Sequence, residues 1–200
     1  MQTKRFLHVG CGPQHQQHTT EGFRAAAWEE VRFDIDAAVA PDIVGSIVDM
    51  HMIATGSVDA IYSAHNIEHL YPHEVPGAFR EFHRVLADDG FAVITCPDLQ
   101  SVCARVADNL LMEPAYESAL GAIAPLDILF GLRSALAAGQ LHMAHRCGFT
   151  EKSLVAELHA AGFQSMVHVA RPQHFDLWVI ASKTAQTEAV MRGLGQLHFP

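Results

Sequence analysis

Short apolar runs that stop on a glycine or a carboxylate recur through the first half of the chain. RFLHVG (5–10) ends on glycine and VRFDID (31–36) on aspartate, while DIVGSIV (42–48) and VDAIYS (58–63) add two more runs rich in Ile and Val. These β-branched and aromatic residues suit pleated strands. Residues 21–30, between the first two runs, predict a helix. From His73 or Glu74 to Ala87 the spacing changes: Val75, Phe79, Phe82, Val85 and Leu86 fall three and four apart, which predicts an amphipathic helix with Gly90 as its C-terminal stop. FAVITC (91–96) is nearly all apolar, as a strand covered on both faces should be, and Pro97 ends it.

Residues 101–147 differ in character. They are rich in Ala and Leu, broken at Pro114, Gly121, Pro125 and Gly139, and predict a helical cap inserted after the fifth strand. A helix over 151–161 follows, then QSMVHVA and FDLWVIASK, two β runs separated by the turn-like RPQH. The expected fold is α/β: a Rossmann-like, mostly parallel sheet with an antiparallel C-terminal strand pair and the inserted cap. One domain should occupy 1–183, with 184–200 a tail of uncertain order. Only residues 37–41 separate the second and third strands, too few for a crossover helix, so a bare loop must make that crossing.

Composition narrows the function. Two hundred residues, half of them apolar, can bury a core without disulfides, and a formal charge of −9 offers no basic stripe for nucleic acid. A small-molecule substrate is the better expectation. Four scattered cysteines form no CxxC pair, and neither a basic leader nor a run of about 20 apolar residues is present, so a cytoplasmic location away from membranes is expected. The 14 histidines are spread from His8 to His198 rather than gathered at ligand spacing, so no metal set is expected. The exposed cap offers a surface for assembly into a homo-oligomer.

Ligands of such sheets bind beyond the carboxyl ends of the strands, where Gly10, Gly12, Asp34, Asp36, Asp49, Ser63, His65 and Pro97 converge. HVGCG allows a tight turn there. A dinucleotide fingerprint would place a third glycine three residues after Gly12, but that residue is His15. Asp34, 22 residues after Gly12, can accept from both hydroxyls of a ribose, and Asp36 could do so instead with a slipped register.

FLHVGCGPQ, VRFDID, IVDM, and SVDAIYSAHNIEHL followed by AFREFHRVLADDGFAVITCPDL together resemble the motifs of class I S-adenosylmethionine-dependent methyltransferases, specifically those in which HxxEH precedes RVLKPGG. The resemblance implies that S-adenosylmethionine is the cofactor. Gly10, Cys11 and Gly12 would face its methionine and ribose, Asp34 the ribose hydroxyls, Asp49 the adenine amino group, the Met50 amide a ring nitrogen, and the Ser63 carbonyl the ammonium. His65 and His145 are candidate bases or hydrogen-bond partners for the acceptor, and Arg146 could bind an acceptor carboxylate or phosphate or, alternatively, pair with Glu151. Tyr116, Asp127 and Phe130 could shape the acceptor pocket. Two other classes remain: a binding module that keeps the pocket without catalysis, and a zinc hydrolase using His65 and His69 of HNIEH on a helix.

Overall fold

The structure is a computed structural model that describes residues 3–118 and 121–200. In chain order these form β1 (Lys4–Val9), β2 (Trp28–Asp34), β3 (Ile43–Val44), β4 (Val58–Ala64), α1 (Val75–Val85), β5 (Leu86–Pro97), α2 (Leu99–Ala107), β6 (Tyr116–Ser118), β7 (Gly121–Ile123), α3 (Pro125–Phe130), α4 (Arg133–Ala137), α5 (Glu151–Ala160), β8 (Ser165–Arg171), β9 (Asp176–Ser182) and α6 (Glu188–His198). Seven strands make one sheet in the order β3-β2-β1-β4-β5-β9-β8. The first five run parallel, and β9 is antiparallel to both β5 and β8. The strand order reverses beside β1, which opens a crevice beyond the carboxyl ends of β1 and β4.

Strand alternation sends successive side chains to opposite faces. Leu7, Val9, Phe33, Ile61 and Ile94 pack under Phe79 and Phe82 of α1 and Leu154 and Leu158 of α5. Phe6, Tyr62, Val93 and Ile180 pack on the other face beneath Phe23 and Met191.

That second face explains two departures from expectation. Residues 21–30 do not form a helix: a 3-10 turn at Gln16–His18 and further turns carry the chain to Trp28, where β2 begins. Trp28 to Phe33 pair in register with Lys4 to Val9, so the parallel ladder takes residues that a helix would have used. The covering layer comes instead from the segment 184–200, which is not a loose tail but carries α6. His198, at its end, is buried, its Nδ1 lies 2.6 Å from Thr20 Oγ1, and its ring sits 4.4 Å from that of Phe23. Gly22 is required there, because an added Cβ would lie 2.5 Å from the His198 ring.

Smaller differences follow from the ladders. The third strand shrinks from 42–48 to Ile43–Val44, an edge pair after which Gly45 donates to Asp34 O and the chain turns away. Gly90 does not stop a helix, since α1 ends at Val85; an added Cβ at Gly90 would lie 3.0 Å from Asp59 O, so glycine permits the close approach of β5 to β4 where their register shifts. The cap is not wholly helical: β6 and β7 form a hairpin inside it, and Val102, Ile123 and Ile128 give it a small core. The crossing from β2 to β3 is a single 3-10 turn, Ala37–Val39. Among the described residues no helix is long and apolar enough to cross a membrane.

Candidate active site

Two cavities open at the carboxyl ends of the strands. The first, of about 170 Å³, is lined by Gly10, Asp34, Ile35, Asn66, His69 and Arg146 among others. Gly10 and Gly12 both have positive φ, +61° and +51°, which glycine adopts without strain. Their surroundings differ. A Cβ on Gly10 would lie 2.5 Å from Asn66 Cγ, whereas one on Gly12 would meet nothing within 4 Å. Gly10 is pressed against protein, and Gly12 faces open space.

Asp34 closes β2 beside this turn and is buried. Its Oδ2 accepts from Gly12 N at 2.7 Å and its Oδ1 from Asp36 N at 2.9 Å. An ionised carboxylate has about four lone-pair sites, so two remain for a ligand. Arg32, also buried, donates to the carbonyls of Gly12, Gln14 and Ala40 at 2.6, 3.1 and 2.8 Å and so ties the glycine turn to the β2–β3 crossing. Behind the turn, Glu30 accepts from Gln16 N and pairs with His8 Nδ1 at 2.6 Å. Burial lowers the His8 pKa against the opposing pull of Glu30. Asn66 contributes a buried side-chain amide, Nδ2, that has no hydrogen-bond partner. Sequence reasoning passed over Arg32, Glu30 and Asn66; the one available signal was a cation, Arg32, set between the apolar Val31 and Phe33.

The second cavity, of about 560 Å³, lies under the cap and includes His65, Glu68, His69, Tyr116, His145 and Asp176 in its lining. His69 borders both cavities. His65 sits at φ +48°, left-handed for a residue with a Cβ, and 58% of its side chain is exposed at this cavity. Burial disfavours its imidazolium, yet Glu68 at 3.4 Å, together with Asp176, outweighs that and raises its pKa. Glu68 is 1% exposed. Burial would raise its pKa, but the surrounding His65, His69 and His145 bring it below the usual value. Burial lowers the pKa of His145, whose Nδ1 lies 2.7 Å from Ile128 O.

A family model described as a methyltransferase domain matches residues 7–94, from β1 into β5. That stretch carries the glycine turn, Asp34 and strands β2 to β4, and the chain shares its fold with S-adenosylmethionine-dependent methyltransferases. Among curated proteins none matches it in sequence. A methyltransferase described as S-adenosylmethionine-dependent from Archaeoglobus fulgidus shares its fold with a TM-score of 0.55 at 13% identity, over 89% of this chain and 85% of that one. The 1,6-didemethyltoxoflavin-N1-methyltransferase of Burkholderia thailandensis, solved with that substrate and S-adenosylhomocysteine, gives 0.55 at 16% identity, over 92% and 72%. The CMeT domain of the citrinin polyketide synthase gives 0.56 at 14% identity over 92% of this chain, which spans only 47% of that one.

Several expected residues stand elsewhere. Asp49 does not line the first cavity; its side chain is 69% exposed and accepts from His51, which lowers its pKa. The Met50 amide is already taken by Glu81 Oε2 at 2.8 Å, and Arg84 holds that carboxylate. Ser63 is fully buried in β4, paired with Val9 and Ile94, and borders neither cavity. Asp36 caps the 3-10 turn through Ala38 N. Cys11 is packed inward, and burial pushes its thiol up to about 11. Arg146 faces the first cavity, not the second, donating to His69 O and lying 4.8 Å over the Tyr71 ring; Glu151 pairs with His168 instead. Asp127 does line the second cavity, held there by Arg133, whereas Phe130 is exposed outside both cavities. The HNIEH segment forms a 3-10 turn at Ile67–His69, so His65 and His69 do not share an α-helical face as the zinc hydrolase reading required. The histidines are nevertheless gathered: Glu68, His69 and His145 come together, contrary to the expectation of no such cluster.

Proposed function

We propose that this protein transfers a methyl group from S-adenosylmethionine to a small molecule seated beneath the cap. The observation that carries this reading is the meeting of two cavities at His69, one built on the glycine turn and Asp34, the other lying under the cap. The residues of the first cavity suit the cofactor: Gly12 leaves room for close approach, Asp34 keeps two acceptor sites for ribose hydroxyls, and the Asn66 amide awaits a partner. Ile35, Ile47 and Val48 offer it an apolar wall. When bound, the cofactor supplies a methyl group activated on a sulfonium.

This chain's residues then have to orient the acceptor and exclude water. The cap provides the cover. His65, with its raised pKa, favours the imidazolium and suits an anionic or carbonyl oxygen of the acceptor. His145 keeps a neutral ring near pH 7, with the Nε2 lone pair left over after Nδ1–H is given to Ile128 O. Tyr116 adds a phenol at the cavity wall. Incubation with methyl-labelled S-adenosylmethionine and a panel of small metabolites tests the reading: labelled product supports it, and cofactor binding without product from any acceptor would favour a module that only binds the cofactor.

A further inference from the structure

Glu68, His69 and His145 each offer a ligand atom, and all three atoms lie within 4.8 Å of one another. The chain brings them together by laying residues 145–147 across the 3-10 turn, where the amides of Arg146 and Cys147 both donate to Glu68 O. Both imidazoles are oriented in the same way. His69 Nδ1 lies 3.2 Å from Ala144 O and His145 Nδ1 lies 2.7 Å from Ile128 O. A carbonyl only accepts, so the proton sits on Nδ1 in each ring and the lone pair on Nε2. Histidines that bind metal are held in this way, the second nitrogen donating to a backbone carbonyl.

Glu68 points to a ligand independently. It is 1% exposed, and both its carboxylate oxygens are buried without a hydrogen bond; the nearest polar side chain of opposite character is the His65 ring at 3.4 Å. Buried carboxylates are ordinarily hydrogen-bonded or bound to a metal. The geometry points to a divalent metal site made by a Glu68 oxygen, His69 Nε2 and His145 Nε2, with its open positions facing the cavity beneath the cap. Two imidazoles and one carboxylate select a first-row ion of the zinc or iron(II) kind over magnesium or calcium, which prefer oxygen alone. Bonds of about 2.0–2.1 Å at tetrahedral angles put ligand atoms roughly 3.3 Å apart, so the three side chains must close by about 1.5 Å. Rotation of Glu68 away from His65 can supply part of that. An oxygen donor entering the cavity would complete the coordination, and the ion would lower the pKa of a bound hydroxyl.

The site borders the cavity proposed for the acceptor and shares His145 with it, but ion binding can be measured apart from methyl transfer. Protein stripped with a chelator is titrated with Zn2+ by calorimetry and with Co2+ by visible absorption, S-adenosylhomocysteine affinity being measured on the same samples. We expect one ion per chain at micromolar affinity or better, weakened at least tenfold in Glu68→Gln and in His145→Ala, with circular dichroism checking each fold. His174→Ala, which alters the same cavity outside the cluster, should keep the ion. Should the ligand variants not fold, zinc-edge X-ray absorption of the unaltered protein should show two imidazoles and oxygen. No stoichiometric ion, equal retention by Glu68→Gln and His145→Ala, or a zinc shell lacking two imidazoles would each overturn the site. Metal binding without S-adenosylhomocysteine binding would overturn the methyl-transfer reading and leave this one standing.

Discussion

His198 makes the stability of this protein sensitive to acid in a way that one substitution can isolate. Its ring is buried between Phe23 and Phe91, its Nδ1 meets Thr20 Oγ1, and burial pulls its pKa down to about 4. In the unfolded chain the ring titrates near 6.5. The unfolded state therefore binds the proton more readily, and the contribution of this residue is intact above pH 6.5 and lost as the pH falls toward 4. Between pH 7.5 and 4.5 that loss is about 2.5 kcal/mol. His198→Phe keeps a ring in the aromatic cluster but gives up the Thr20 contact, worth about 1 kcal/mol. At pH 7.5 the variant should be the less stable by about that amount, and at pH 4.5 the more stable by about 1.5 kcal/mol. Urea unfolding followed by fluorescence reports directly, since Trp28 packs edge-on against Phe23. Parallel stability profiles that never cross would show that His198 is not buried as a neutral ring, and the docking of α6 would have to be revised.

Other outcomes follow from the site and the cap. Gly10→Ala forces a Cβ into Asn66 at positive φ and should cost about 2–3 kcal/mol in urea unfolding, whereas Gly12→Ala should cost about 1 kcal/mol and show its effect chiefly as weakened S-adenosylhomocysteine binding. Equal stability losses would remove the distinction between the two glycines. Asp34→Ala should weaken cofactor binding about ten- to a hundredfold in calorimetry, and unchanged affinity would place the ribose elsewhere. Asp127 accepts from Arg133 Nε and Nη2 at 2.7 and 2.9 Å and from Ala124 N, and the arginine holds its carboxyl down at about 2. Because that pKa is depressed, its contribution is present above about pH 4 and lost as the pH falls through 2. Asp127→Ala should therefore destabilise the cap by about 2 kcal/mol at neutral pH in hydrogen exchange of α3, and unchanged exchange would refute that role.

The strands and the glycine turn were legible because each is written locally: Phe6 and Leu7 serve opposite faces, and the carboxylate of Asp34 ends its run. The covering layers were not. Nothing near residues 21–30 announces that α6, more than 150 residues later, will occupy that face, so helical propensity there was overruled by the ladder from Trp28 to Phe33. The adenine end of the site misled for the same reason. IVDM matches a motif, but the Met50 amide is claimed by Glu81 on α1, a partner 31 residues away. The Glu68, His69 and His145 cluster was hidden because two of its members adjoin one another and the third arrives from the far end of the cap.

If the glycine turn and Asp34 hold S-adenosylmethionine, the intact protein must bind it saturably. Calorimetric titration of the intact protein with S-adenosylmethionine and S-adenosylhomocysteine tests it most directly. We expect one saturable site per chain for each ligand, weakened by Asp34→Ala and by Gly12→Ala. No heat of binding with millimolar ligand, in protein shown by circular dichroism to be folded, would contradict it.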